Sequence, residues 1–232
     1  RDQDGHAAIF RPLENFKRFN ISAERMQMPA VPEEIFMEGM RQLIKIDQNW
    51  IPAIADHSLY IRPFMFSSDH IIGVKPSDSY KFMIILSPTG PYYIAPMRIY
   101  VEEKFVRAAP GGVGYAKAAG NYGAAMYATA QAKKQGYDQV LWTDAIEHNY
   151  VQEIGTMNVF FIIGNTAVTP DLSSGTILAG ITRDSAITML REAGLKVEER
   201  PISMDEVAAS YDQGKLTEVF GTGTAATVSL IK

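Results

Sequence analysis

The chain has 232 residues, a formal charge of −4, 47% hydrophobic and 21% charged residues, and no cysteine. Disorder, which needs low hydrophobicity and high net charge, is excluded, and a chain of this length makes roughly one or two domains with real cores. Without cysteine there are no disulfides, thiolate-held zinc sites, iron–sulfur clusters or thiol nucleophiles, so a nucleophile must be Lys, Ser, Thr, Asp or Glu.

In chain order, helical periodicity is predicted over residues 14–26 and, after Pro32, over 33–46, where Ile35, Phe36, Met40, Leu43 and Ile44 recur at helical spacing. Aromatic and β-branched runs predict strands at 59–66 and 82–86. The three prolines and the glycine of Ser87-Pro-Thr-Gly-Pro-Tyr-Tyr-Ile-Ala-Pro96 read as a linker. Beyond it, strands are predicted near 97–101, 139–142, 159–163, 197–200 and 224–231, with helices near 122–135, 183–193 and 205–212. The expected class is α+β, with a small α+β domain at 1–87, a linker at 88–96 and a larger mixed domain at 97–232.

No stretch reaches the roughly 20 consecutive apolar residues of a membrane span, and the uncharged segment 154–170 is broken by Gly155, Asn158, Gly164 and Asn165. No membrane partner is expected. Neither is nucleic acid, because basic residues do not cluster and the balance is acidic. The N-terminus is charged, has no apolar signal core and does not begin with Met, so a processed or incomplete chain is expected.

Five glycines surround one lysine in Gly111-Gly-Val-Gly-Tyr-Ala-Lys-Ala-Ala-Gly-Asn-Tyr-Gly123. Such a loop lets backbone approach a ligand, and small neighbours allow Lys117 to lose water and present a neutral amine to a carbonyl; a flexible loop with a solvated lysine is the alternative. Glu153 and Asn158 interrupt the apolar run 150–163. A carboxylate there either turns outward or meets a buried cation. Gly180-Ile-Thr-Arg183 reads as an anion-binding helix start, or as an ordinary entry with Thr182 as cap. Gly221-Thr-Gly-Thr-Ala-Ala226 reads as an anion-binding turn, or as a plain tight turn. Arg62, inside an apolar strand, calls for an anion or a structural carboxylate. His6, His57, His70 and His148 show no metal-ligand spacing, so no metal is expected; Asp144, Glu147 and His148 read as a solvated polar loop.

Taken in order, Arg62 in Leu-Tyr-Ile-Arg-Pro, Lys117 in Lys-Ala-Ala-Gly-Asn-Tyr-Gly, Glu153 in Gln-Glu-Ile-Gly-Thr-Met-Asn, Gly180-Ile-Thr-Arg183 and Gly221-Thr-Gly-Thr-Ala-Ala226 closely resemble the branched-chain amino acid aminotransferases. These are pyridoxal phosphate enzymes of fold type IV. The resemblance runs from about Phe10 to the C-terminus. It implies two mixed α/β domains with the N-terminal part incomplete, as in the central piece of a longer protein. Lys117 matches the lysine that holds pyridoxal 5′-phosphate covalently and shuttles the Cα proton. Glu153 matches the carboxylate facing the pyridine nitrogen and Tyr122 the tyrosine bonded to the cofactor's O3′. Arg62, the Ile181 and Thr182 amides and Thr224 match phosphate contacts. Tyr92, Thr156, Thr224 and Ala225 match the substrate side.

The implied activity is transfer of the amino group of Leu, Ile or Val to 2-oxoglutarate, giving branched 2-oxo acids and glutamate, in a cytoplasmic homodimer. Within the fold, an aminodeoxychorismate lyase or a D-amino acid transaminase is the alternative, and Gln-Glu-Ile-Gly-Thr-Met-Asn favours the branched-chain group. A non-catalytic binding module is the alternative of another class.

Overall fold

The computed structural model describes residues 6–232, so the charged N-terminus and the first residues of the predicted domain 1–87 lie outside the described residues. The chain divides into two compact units, Arg1–Tyr92 and Tyr93–Lys232.

In the first unit, α1 (Pro12–Arg25) opens on a proline, whose missing N–H needs no partner in a first turn, and α2 (Glu33–Ile46) follows Pro32. Asn20 of α1 holds the connection, its side chain exchanging two hydrogen bonds with the Val31 backbone at 2.9 and 3.0 Å. Strands β1 (Ser58–Ser67) and β2 (Tyr80–Thr89) form an antiparallel ribbon. Pro88 and Thr89, which the sequence assigns to the linker, still pair with β1. Because side chains alternate along a strand, one ribbon face puts Phe82 against Phe19 and Phe36 of the helices, with ring centroids 5.5 and 5.7 Å apart. The other face carries Arg62 with Phe66, Met83 and Ile85, all exposed.

In the second unit, β3 (Ile99–Glu102), β4 (Gln139–Thr143) and β5 (Val151–Ile154) make one sheet in that order. The other sheet has five strands: β6 (Asn158–Ile163), β7 (Thr166–Thr169), β8 (Lys196–Glu199), β9 (Leu216–Gly223) and β10 (Thr227–Leu230), ordered β10-β9-β6-β7-β8. The two sheets share one core, in which Leu141, Ile154, Val159, Phe161 and Val168 pack together. On the outer faces, α3 (Ala119–Lys134) lays Ala125, Ala128 and Ala132 on Val140 and Trp142, while α4 (Ile181–Glu192) lays Ile187 on Phe160, Ile162 and Phe220. Both faces being covered, β4 and β6 are buried along nearly their whole length rather than at alternate positions. A short helix α5, Met204–Asp212, begins on a Ser203 hydroxyl that accepts from the Glu206 amide.

Two sequence expectations change. The strand predicted over 224–231 starts only at Thr227, and Gly221-Thr-Gly223 belongs to β9, where a Cβ on Gly221 would come within 3.0 Å of the Met157 side chain. The apolar run 150–163 carries β5 and then β6, the latter where a strand is predicted at 159–163; between them Gly155, at φ +56°, turns the chain, its amide donating to the Val140 carbonyl at 2.7 Å and its carbonyl accepting from the Trp142 indole at 3.0 Å. The polar loop 144–150 is also more than solvated. Asp144 accepts from the amides of Ile146, Glu147, Asn149 and Tyr150 at 2.8–3.0 Å.

Leu in place of Ala128 would overfill the contact between α3 and β4. Ala128→Leu is expected to cost about 1–3 kcal/mol, read from the urea midpoint. An unchanged midpoint would show that α3 is not seated there. At Asp144, partial burial pushes the carboxyl up, but the four amides together hold it down at about 2. A lowered carboxyl adds stability above its ordinary range, and that contribution disappears as pH falls through about 2. The stability difference between wild type and Asp144→Asn is therefore expected to shrink on acidification; a pH-independent difference would contradict the amide clamp.

Candidate active site

Lys117 stands two residues before α3, exposed between the buried Ala116 and Ala118. Burial of both neighbours fixes the backbone and leaves the lysine side chain pointing outward. Asn121, in the first turn of α3, tightens the glycine-rich loop by donating from Nδ2 to the carbonyls of Val113 and Ala116, both at 2.9 Å. Lys117 Nζ donates to Tyr122 Oη at 2.9 Å and lies 5.6 Å from the centre of that ring. The desolvation expected from the small neighbours is not seen, since Lys117 is exposed.

Glu153 arrives from β5 on the opposite wall. It is 3% exposed, so it has not turned outward. Its Oε1 accepts from the Leu178 amide at 2.8 Å, and its Oε2 lies 3.4 Å from Nε of Arg107, itself buried. Arg107 also donates from Nη2 to the Thr176 carbonyl, while its Nε makes no hydrogen bond. At 3.4 Å the contact is thus an ion pair without hydrogen-bond geometry. Burial raises the Glu153 carboxyl above its ordinary value; the Arg107 guanidinium, the Leu178 amide and the Lys117 ammonium oppose that rise.

Lys117, Tyr122, Arg107, Glu153, Thr156 and Leu178 line one cleft. The cleft therefore gathers four of the residues singled out in the sequence. Ile181 and Thr182 open α4, three and four residues after Leu178, and the helix cap is Gly180, not the Thr182 side chain. Thr224 and Ala225 sit in the turn after β9, whose Gly223 backbone approaches Thr156. Arg62 and Tyr92 belong to the first unit. Arg62 is exposed, donating to Tyr60 Oη at 3.4 Å with its guanidinium 5.2 Å from that ring.

Sequence reading missed Arg107, Asn121 and the Leu178 amide. Arg107 left a signal: a buried carboxylate requires a cation, and this arginine shortly precedes the glycine-rich run. A backbone amide such as that of Leu178 leaves none.

A carboxyl raised by burial keeps a proton that the unfolded chain has already released, so its contribution to stability is complete below the ordinary carboxylate range and declines as pH rises through the raised value. Glu153→Gln is expected to flatten that decline in cofactor-free protein, read by urea unfolding between about pH 5 and pH 9. Arg107→Met, which strands the carboxylate, is expected to cost about 3–5 kcal/mol in the same measurement near neutral pH. Equal pH slopes in wild type and Glu153→Gln would show that the carboxyl is not raised.

The sequence pattern of the family Amino-transferase class IV matches residues 4–232. The chain is 54% identical over 233 residues to branched-chain-amino-acid transaminase 1 of Bacillus subtilis (strain 168), covering 99% of this chain and 65% of that protein. It thus spans just under two-thirds of the length of that curated relative. Among solved structures, the branched-chain amino acid aminotransferase from Escherichia coli is 28% identical with a TM-score of 0.80, over 99% of this chain and 72% of that one. The T.th. branched-chain amino acid aminotransferase complexed with N-(5′-phosphopyridoxyl)-L-glutamate is 29% identical with a TM-score of 0.80, over 96% of this chain and 69% of that one. With a family pattern spanning nearly every residue, and with the lysine and the buried carboxylate facing one cleft, the chain belongs to the class IV aminotransferases.

Proposed function

We propose that the complete protein is a branched-chain amino acid aminotransferase that uses pyridoxal 5′-phosphate, moving the amino group of Leu, Ile or Val to 2-oxoglutarate and releasing a branched 2-oxo acid and glutamate. The observation that carries this reading is the pairing, in one cleft, of an exposed lysine amine with a carboxylate buried to 3% exposure. The substrate class is supported by relatives named as branched-chain enzymes at 54% and 28% identity.

The residues fit the cofactor. A carboxylate held in a dry wall favours a cationic ring nitrogen, and the Thr222 Oγ1 atom is buried without a hydrogen-bond partner among the described residues, as expected beside a polar ligand. Lys117 would hold the aldehyde carbon through its amine, Tyr122 the ring hydroxyl and Glu153 the ring nitrogen. Thr224 and the amides opening α4 would hold the phosphate, a helix start being suited to an anion. Thr156 and Ala225 would face the amino acid. The roles of Arg62 in phosphate binding and of Tyr92 on the substrate side rest on the family resemblance alone.

When bound, pyridoxal phosphate supplies an electron sink for the pair left on Cα as its proton departs. Lys117 Nζ takes that proton and returns it at the former aldehyde carbon, a general-base and then general-acid role that requires the amine to be neutral when it acts. Tyr122 Oη, at 2.9 Å, restricts where Nζ can sit. Glu153 would face the proton of the ring nitrogen, whose charge would favour the ionised carboxylate, and the Arg107 guanidinium opposes the rise that burial imposes on that carboxyl. Discrimination among Leu, Ile and Val rests on pocket volume, at ~1–3 kcal/mol per methylene. The reading extends to a cytoplasmic homodimer, which rests on resemblance to enzymes whose pocket takes residues from the facing subunit.

Borohydride reduction of the complete protein with pyridoxal phosphate is expected to fix a pyridoxyl group on Lys117, located by peptide mass, and Lys117→Ala is expected to abolish transfer from Leu to 2-oxoglutarate. Label on Lys133 or Lys134 instead, or transfer surviving in the variant, would overturn the assignment.

A further inference from the structure

Between the buried carboxylate and the start of α4 runs a short strap, Leu178-Ala179-Gly180. Its first residue is held on both sides of its backbone by side chains of neighbouring strands: the Leu178 amide donates to Glu153 Oε1 at 2.8 Å, and the Leu178 carbonyl accepts from Asn158 Nδ2 at 2.9 Å. Its last residue, Gly180, caps α4 and lies against the other end of the Asn158 side-chain amide, where a Cβ would collide with Asn158 Oδ1. Asn158 is buried at the first position of β6, so its amide has a strong demand for partners, and the strap meets it.

We infer that Asn158 is a positioning residue which, together with the bare backbone of Gly180, places the first amides of α4 relative to Glu153 and thereby sets how strongly the protein prefers a phosphorylated pyridine aldehyde over its unphosphorylated form. This rests on the cofactor reading above. From Leu178 to Ile181 the chain can span at most about 10 Å, so clamping Leu178 ties the helix start to the strands that carry Glu153. The two ends of one small molecule are thus held by a single stretch of backbone. A separate observation points to an anion at this place. Thr222 lies directly opposite Asn158 in the β6–β9 ladder, hence on the same sheet face, and is 1% exposed with a hydroxyl that lacks a partner among the described residues. A phosphate at the helix start gives such a hydroxyl an acceptor.

The test compares dissociation constants of pyridoxal 5′-phosphate and of pyridoxal, each titrated by absorbance into the cofactor-free complete protein. In Asn158→Ala, and in Asn158→Asp, which keeps the shape but loses the donor, the advantage of the phosphorylated aldehyde is expected to fall about tenfold, while pyridoxal affinity stays within about twofold. Gly180→Ala is expected to show the same loss, because the new methyl meets Asn158; its φ of −70° accepts alanine without backbone strain. The double variant Asn158→Ala/Gly180→Ala is expected to be no worse than Asn158→Ala alone, a non-additivity that two unrelated structural defects would not give. Should Asn158→Ala fail to fold by circular dichroism, Gly180→Ala decides. An undiminished phosphate advantage in the folded variants, or equal losses for both aldehydes, overturns the inference and leaves the cofactor reading standing. A wild-type protein with no preference for the phosphorylated form overturns the cofactor reading, and this inference with it.

Discussion

The site is organised around one buried carboxylate. Removing Glu153 from water costs several kcal/mol of hydration, and at 3.4 Å an Arg107 guanidinium that is also desolvated returns only part of it. One backbone amide, that of Leu178, returns a further part. Few sequences would keep a carboxylate in such a place for stability alone, since an apolar side chain of similar volume would do better. The residual tension is expressed as a carboxyl raised above its ordinary value, and on the proposed reading a cationic ligand would relieve it.

Much of the second unit is accounted for by what it takes to hold that group still. Glu153 belongs to a strand buried on both faces, and the following turn is locked by Gly155, whose backbone bonds to Val140 and to Trp142. Trp142 in turn is packed under the alanine face of α3, the helix whose first turn carries Asn121 and Tyr122 just after Lys117. The lysine wall and the carboxylate wall are therefore joined through one aromatic side chain. On the far side, Leu178 links the carboxylate to the start of α4. Lys117 is exposed in this assembly, as is Tyr122. On the proposed reading that exposure is functional, because the amine must reach an aldehyde and then move a proton.

Elements with strong periodicity were legible in the sequence: α2 occupies Glu33–Ile46 as its apolar spacing and Pro32 require, and the aromatic runs at 59–66 and 82–86 are the centres of β1 and β2. Some short elements fixed by long-range pairing were not. Strand β7, only Thr166–Thr169, has no alternation of its own and exists because β6 and β8 flank it. Of the site, the residues legible in sequence were those whose type is costly at its position: a carboxylate in an apolar run, a lysine among glycines. Arg107 was legible in principle as the cation that Glu153 demands. Leu178 was not, because its contribution is a backbone amide and almost any residue supplies one. Arg62 illustrates the reverse error: an arginine in an apolar strand suggested burial, but pleating puts it on the exposed ribbon face.

The central claim is that Glu153, ionised opposite a cationic ring, holds a proton on the ring nitrogen of the bound cofactor. The most direct measurement is the ¹⁵N chemical shift of ring-labelled pyridoxal phosphate in the complete protein, followed from slightly acidic to alkaline pH. A shift characteristic of a protonated pyridine nitrogen throughout, collapsing to the neutral value in Glu153→Gln, is the result this account expects. A neutral ring nitrogen in the wild-type protein, or a shift that Glu153→Gln leaves unchanged, would contradict it.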